Sequence, residues 1–267
     1  FTAKNPLEGI AVGTTEFVTL KADDGTPLYG KLHKPTTLDP NKKYPVLIYV
    51  YGGPHAQQVK NEWLADTYLW LHSFVENEQY IVFTLDNRGS ENRGFAFESV
   101  IHRHLGETEI KDQLKGVEYL KSLPYVDGNR IAVHGWSFGG FMASSLLTRH
   151  PDVFTTAVAG GAVTDWKYYE VMYGERYMDT PKENPEGYEN SRVSKYLDNL
   201  NRPLLFIHGS IDDVVVPQHL MSITRDDIKK NKFIDTFIYP MHGHGVRGSD
   251  HIHLTQQIID YIKTNNL

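Results

Sequence analysis

Cysteine is absent from the 267 residues, so no disulfide supports the fold. A thiol-free chain is safe in oxidising and reducing surroundings alike, so the absence names no compartment. No apolar stretch reaches the roughly 18 residues that a membrane helix needs, and no membrane span is expected. There is no long basic run, and the net charge is −6. A nucleic-acid partner is therefore not expected. Internal repeats and low-complexity linkers are missing too. The chain opens on Phe1 with no signal-peptide pattern behind it, and it reads as a mature product or a piece of something longer. What remains is a globular mix, 40% apolar and 22% charged, rich enough for a sizeable core. The length suits one large domain or two small ones.

The apolar pattern alternates between two kinds of segment. "TEFVTLKADDGTPLYGKLHKP" (15–35) has two alternating runs around Asp24-Gly25, the signature of an antiparallel hairpin. Nearly continuous apolar runs follow at 44–54, 80–90, 130–137, 154–162 and 202–210, with another at 235–245. Such runs are expected as strands buried on both faces. Helical spacing appears at 109–123, 217–230 and 250–267. Strands alternating with helices predict an α/β fold with a mostly parallel central sheet flanked by helices, preceded by the antiparallel N-terminal hairpin. Chemistry in such sheets sits at the carboxyl ends of the strands.

"RIAVHGWSFGGFMASSLL" (130–147) places Gly135-x-Ser137-x-Gly139 between a strand-like run and a helix-like run. The pentad alone arises by chance in roughly one chain in ten of this length. Its context carries the weight. A sharp strand-to-helix turn strains its central residue and tolerates only small neighbours, which lifts Ser137 above the sheet edge at the positive end of a helix. The amide of Phe138 is then a candidate oxyanion donor. The competing reading is a tight packing turn with a buried serine.

A serine needs a base, and the base needs an anchor, in the order Ser, acid, His on this kind of sheet. "LLFIHGSIDDVVVP" supplies Asp212 and Asp213 after one strand, and "FIYPMHGHGV" supplies His242 and His244 after the next. Spacing alone does not choose within either pair. The histidines His242, His244, His251 and His253 also raise a zinc reading. Residues 243–253 look like loop running into helix rather than a strand that would align them, so no metal and no cofactor is expected.

Taken together, "GWSFGGF", "HGSIDD", "YGGP", "DNRGS" and "DWKYYEVMYGERYM" resemble the catalytic domain of the prolyl oligopeptidase family of serine peptidases, in its dipeptidyl peptidase IV branch. "AGGAVTDWKYYEVMYGERYMDTPKENPEGY" and "IDDVVVPQH" are most similar to bacterial prolyl tripeptidyl aminopeptidases. The resemblance implies Ser137 as nucleophile, Asp212 as anchor and His244 as base, with Tyr51 as a second oxyanion donor beside Phe138. It also implies a flat proline pocket walled by Val163, Trp166, Tyr169, Tyr173 and Val215. The aromatic positions 166, 169 and 173 recur as one face of a helix, and core packing is the reading without the resemblance. A pyrrolidine ring suits aromatic walls because a prolyl amide has no N–H to satisfy. Two positions depart from the branch: Val214 stands where an asparagine is usual, and Phe138 where a tyrosine is frequent. The first fits tripeptidyl release better than dipeptidyl. Glu175 is a candidate for holding the substrate's free amino group, the alternative being a structural pair with Arg176 or another arginine.

The expectation is thus one α/β-hydrolase catalytic domain over 1–267, the C-terminal piece of a longer protein, working on peptides with proline in the second or third position. The resemblance further implies an N-terminal β-propeller partner domain, a possible homodimer and a periplasmic or secreted location. Nothing in the 267 residues resembles propeller blades, so the chain alone is expected to react with serine-directed reagents but to cleave peptides poorly or without length control. The rivals are an acylaminoacyl peptidase or esterase on the same fold, and a catalytically silent binding homologue.

Overall fold

A computed structural model describes residues 3–267. The strands are β1 (Thr14–Lys21), β2 (Pro27–Lys34), β3 (Tyr44–Tyr49), β4 (Ile81–Asp86), β5 (Val126–Trp136), β6 (Thr156–Gly160), β7 (Leu204–Gly209) and β8 (Asp235–Tyr239). The helices are α1 (Leu69–Glu78), α2 (Phe95–Glu98), α3 (Thr108–Ser122), α4 (Phe138–Arg149), α5 (Val171–Met178), α6 (Pro185–Ser191), α7 (Gln218–Lys229) and α8 (Asp250–Asn265). The strands form one sheet in the order β1-β2-β4-β3-β5-β6-β7-β8. β2 is antiparallel to both β1 and β4, and β3 to β8 run parallel. The hairpin turn closes as its sequence suggests: Asp24 Oδ1 accepts the Thr26 amide at 2.9 Å, an Asx turn that competes well with continued strand.

Successive side chains of a strand point to opposite faces, and each central strand feeds two cores. On one face Val46 and Ile48 of β3, Ile131 and Val133 of β5, and Leu204 and Phe206 of β7 pack with α3, α4 and α7. On the other face Leu47, Ala132, Leu205 and Ile207 pack with α1 and α8. Burial on both sides is why these segments read as unbroken apolar runs rather than alternating ones. β8 departs from that expectation. It is the edge strand, Asp235, Thr236 and Ile238 are exposed, and its apolar residues reflect one covered face only. No helix among the described residues is long and apolar enough to cross a membrane.

Candidate active site

β5 ends at Trp136 and α4 begins at Phe138, leaving Ser137 alone to make the turn at φ 62° and ψ −119°. A non-glycine residue there carries strain on the order of 1–3 kcal/mol. Two backbone hydrogen bonds hold it: the Ser137 amide donates to the Gly160 carbonyl (2.8 Å), and the Ser137 carbonyl accepts from the Phe141 amide (3.0 Å). The flanking glycines are required by contact. A Cβ at Gly135 would lie 2.3 Å from the Val50 carbonyl oxygen and 2.4 Å from that of Gly139, and a Cβ at Gly139 would lie 2.3 Å from the Val50 oxygen. Gly135→Ala must therefore push backbone aside. It should cost about 1–3 kcal/mol, as overpacking does, and lower Tm by on the order of 5 °C in a calorimetric scan. An unchanged Tm would show that the elbow is looser than this packing implies.

Asp212 follows β7, and His244 follows β8. The His244 Nδ1 lies 2.9 Å from Asp212 Oδ2. The other oxygen, Asp212 Oδ1, accepts the amides of Val214 (3.0 Å) and Val215 (2.9 Å). Burial pushes the Asp212 carboxyl up, but the His244 hydrogen bond and charge and the two amides outweigh it, and the group sits below its ordinary 3.8. Asp213, its neighbour, is exposed. The strand that leads into Ser137 reaches this loop directly: Trp136 Nε1 donates to the His244 carbonyl at 2.7 Å. A Cβ at Gly161, just past β6, would lie 2.9 Å from Trp136 Nε1 and 3.1 Å from His244 Cε1. The ends of β5, β6, β7 and β8 thus converge. Among the described residues neither the Ser137 hydroxyl nor His244 Nε2 makes a hydrogen bond. Catalytic hydrogen bonds in unliganded enzymes are often long.

Tyr51 sits two residues past β3, its ring centroid 6.2 Å from that of Phe138. Burial, reinforced by Tyr177 nearby, pushes its phenol above the ordinary 10.0, so at neutral pH it is a neutral donor. The Phe138 amide, first in α4, has no partner within the helix. Val163, Trp166 and Val215 are fully buried in the same core as Phe138, and the Trp166 ring lies 5.4 Å from that of Phe138. Trp166 stacks on Tyr173 (5.8 Å, 8°) and meets Tyr169 edge-on (5.6 Å, 84°), while Tyr169 meets Tyr173 edge-on at 5.1 Å.

These aromatics do not lie on one continuous helix, as their spacing predicts. Trp166–Tyr168 is a 3-10 turn capped by Asp165, and α5 starts afresh at Val171 with Glu170 capping it through the Met172 amide (2.9 Å). Each acidic side chain offers the backbone a new start, and tertiary packing brings the rings back together. The cluster extends further than the sequence suggests. Tyr177 meets Tyr173 at 4.7 Å, and Phe141 backs Trp166 at 5.4 Å. The four-residue step from 173 to 177 was a readable signal for the first. Glu175 is exposed, and its carboxylate makes no ion pair among the described residues, so the arginine pairing is not formed.

The remaining histidines go separate ways: His242 to Asp250 (2.8 Å), His253 to the Tyr239 hydroxyl (2.8 Å) and His251 to Thr255 (3.4 Å). Opposite the aromatic cluster, a cavity of about 400 Å³ adjoins Ser137, with Tyr51, Trp70, Trp136 and Leu254 in its walls.

The profile of the prolyl oligopeptidase family matches residues 65–266. Dipeptidyl peptidase 8 of Homo sapiens and that of Mus musculus are each 36% identical over 258 residues, covering 94% of this chain and 28% of theirs. The crystal structure of a Bacteroides ovatus protein assigned as a dipeptidyl aminopeptidase IV superposes with a TM-score of 0.97 at 51% identity, over 99% of this chain and 38% of that one. Porphyromonas gingivalis dipeptidyl peptidase 4 follows with a TM-score of 0.88 at 33% identity, over 95% and 36%. The chain thus spans 28% of the length of the mammalian relatives and 38% and 36% of the two bacterial chains. The mixed sheet with helices on both faces is the α/β-hydrolase fold.

Proposed function

The chain belongs to the prolyl oligopeptidase family, and on that premise we propose that it is the catalytic part of a serine peptidase that releases di- or tripeptides by cutting after proline. The observation that carries the reading is the hydrogen bond of 2.9 Å between His244 Nδ1 and Asp212 Oδ2, beside a serine held at a strained elbow. With Nδ1 occupied, Nε2 of His244 is the base. It takes the Ser137 proton as Oγ attacks the carbonyl carbon after proline. The oxyanion is received by the Tyr51 hydroxyl and the Phe138 amide. Collapse breaks the C–N bond, and the proton on Nε2 passes to the leaving amine. Water then repeats the sequence on the acyl-enzyme, with His244 again as base, and the acid departs.

Val163, Trp166, Tyr169, Tyr173 and Val215 form the proline pocket in this reading. Flat aromatic faces fit a pyrrolidine ring that brings no N–H to be satisfied. Glu175, exposed and without an ion pair among the described residues, is placed in this reading to meet the ammonium of the peptide's amino end. The N-terminal remainder of the full-length protein supplies a β-propeller over the site.

The test is a peptide series on the full-length enzyme, with the released fragments weighed. Proline before the cut should exceed alanine in kcat/KM by roughly 10- to 200-fold, the range set by apolar pocket contacts. Glu175→Gln should raise KM for peptides with a free amino end and leave blocked ones unchanged. Blocked esters turned over faster than any proline peptide would move the chain to the acylaminoacyl peptidases or esterases instead.

A further inference from the structure

β4 ends at Asp86, and the next residue, Asn87, is completely buried. Its Nδ2 donates to the Gly52 carbonyl (2.9 Å) and to the Arg88 carbonyl (2.8 Å). Its Oδ1 accepts from Gln113 Nε2 of α3 at 2.9 Å, and that same nitrogen donates to the Leu85 carbonyl (3.0 Å). Both N–H groups of the Asn87 amide and its oxygen are thereby engaged, which fixes which end is oxygen. Gly52 adopts φ 73°, and a Cβ there would lie 2.7 Å from Asn87 Oδ1, so only glycine permits this approach. The other end of the same loop is held by the preceding residue. Asp86 accepts the amides of Gln58 (2.8 Å) and Val59 (2.9 Å). Two consecutive side chains at the end of β4 therefore clamp the segment from Gly52 to Val59, and Tyr51 enters it.

We propose that Asn87, oriented by Gln113, is a positioning residue that fixes the Gly52 carbonyl and with it the direction of the Tyr51 side chain. Neither amide touches substrate. The inference rests on the reading of Tyr51 as an oxyanion donor. Donors must lie within a few tenths of an ångström of the place where charge develops, and they contribute only when held there beforehand. Gln113 Oε1 is buried with no partner among the described residues, but the Asn87 amide is engaged at both ends and tied to α3 through Gln113 Nε2, a rigid way to hold a peptide group.

The test is a double-mutant cycle in the full-length enzyme, with kcat, KM and Tm measured for each variant. Tyr51→Phe should lower kcat by about 10²- to 10³-fold with KM nearly unchanged, as loss of an oxyanion donor does. Asn87→Ala should lower kcat by about 10- to 100-fold, again with KM nearly unchanged. In the Tyr51→Phe background the same substitution should cost less than about threefold, because coupled residues are not additive. Gln113→Ala should act in the same direction with a smaller loss, and it serves if Asn87→Ala does not fold. Undiminished loss in the Tyr51→Phe background, or wild-type kcat in both amide variants, would reduce the pair to a structural role and overturn the inference while the Tyr51 reading stands. If Tyr51→Phe itself turns over at the wild-type rate, the oxyanion reading falls, and this inference falls with it.

Discussion

Ser137→Ala should lower kcat by on the order of 10⁵- to 10⁶-fold, the loss seen when a serine nucleophile is removed from an otherwise intact triad. KM for proline peptides should stay within a few-fold, because the aromatic rings around Trp166, the Tyr51 hydroxyl and the Phe138 amide do not move. Labelling by a fluorophosphonate should vanish. Stability should hardly change. The Ser137 hydroxyl has no hydrogen-bond partner among the described residues, so alanine removes no native bond, and the strained φ of 62° is the same for both residues. That combination separates the nucleophile reading from a packing role. A serine kept for packing would give a Tm loss with little chemistry, whereas a nucleophile gives the reverse. Retained labelling, or a kcat loss below about a hundredfold, would mean that the attacking group lies elsewhere. A silent binding homologue would give no labelling in the wild-type chain either.

The elbow was legible because its requirements are local. Strain at one residue and close approach at Gly135 and Gly139 leave a mark within five positions of sequence. The parallel strands were legible for a related reason: burial on both faces suppresses alternation, as in β4, where all six residues are buried. β8 was misread because an apolar edge strand looks the same in sequence as a central one, and only a missing neighbour distinguishes them. The break between Trp166 and Tyr173 was hidden because Asp165 and Glu170 are ordinary residues in a helix as well as caps. The strand order, with β2 beside β4 rather than β3, depends on pairing across some fifty positions, where no pattern is written. The clamp on Tyr51 was hidden in the same way. Asn87 and Gln113 meet through hydrogen bonds between β4 and α3, and buried amides have no periodicity.

Within the acid pair, spacing gave Asp212 and Asp213 equal claims. In the structure Asp212 is buried against His244 and Asp213 faces solvent, which yields the second large prediction. Asp212→Asn should lower kcat by about 10⁴-fold, with Asp213→Asn near wild type. The asparagine can keep its oxygen toward the Val214 and Val215 amides only by turning its NH₂ toward His244 Nδ1. Nδ1 must then accept, and the ring's proton moves to Nε2, where it blocks removal of the Ser137 proton. Turning the amide over instead sets NH₂ against two backbone N–H groups, which costs buried unsatisfied donors. Either way the imidazole loses the carboxylate that stabilises its charged form. The same carboxylate leaves a mark on stability. Its pKa is depressed below 3.8, so its contribution is fully present above the unfolded value and is lost as pH falls through the lower, folded one. Acid unfolding of the wild type below about pH 4 should therefore be steeper than that of Asp212→Asn, measured as Tm against pH. Parallel acid limbs, or a kcat loss under tenfold, would strip Asp212 of the anchoring role.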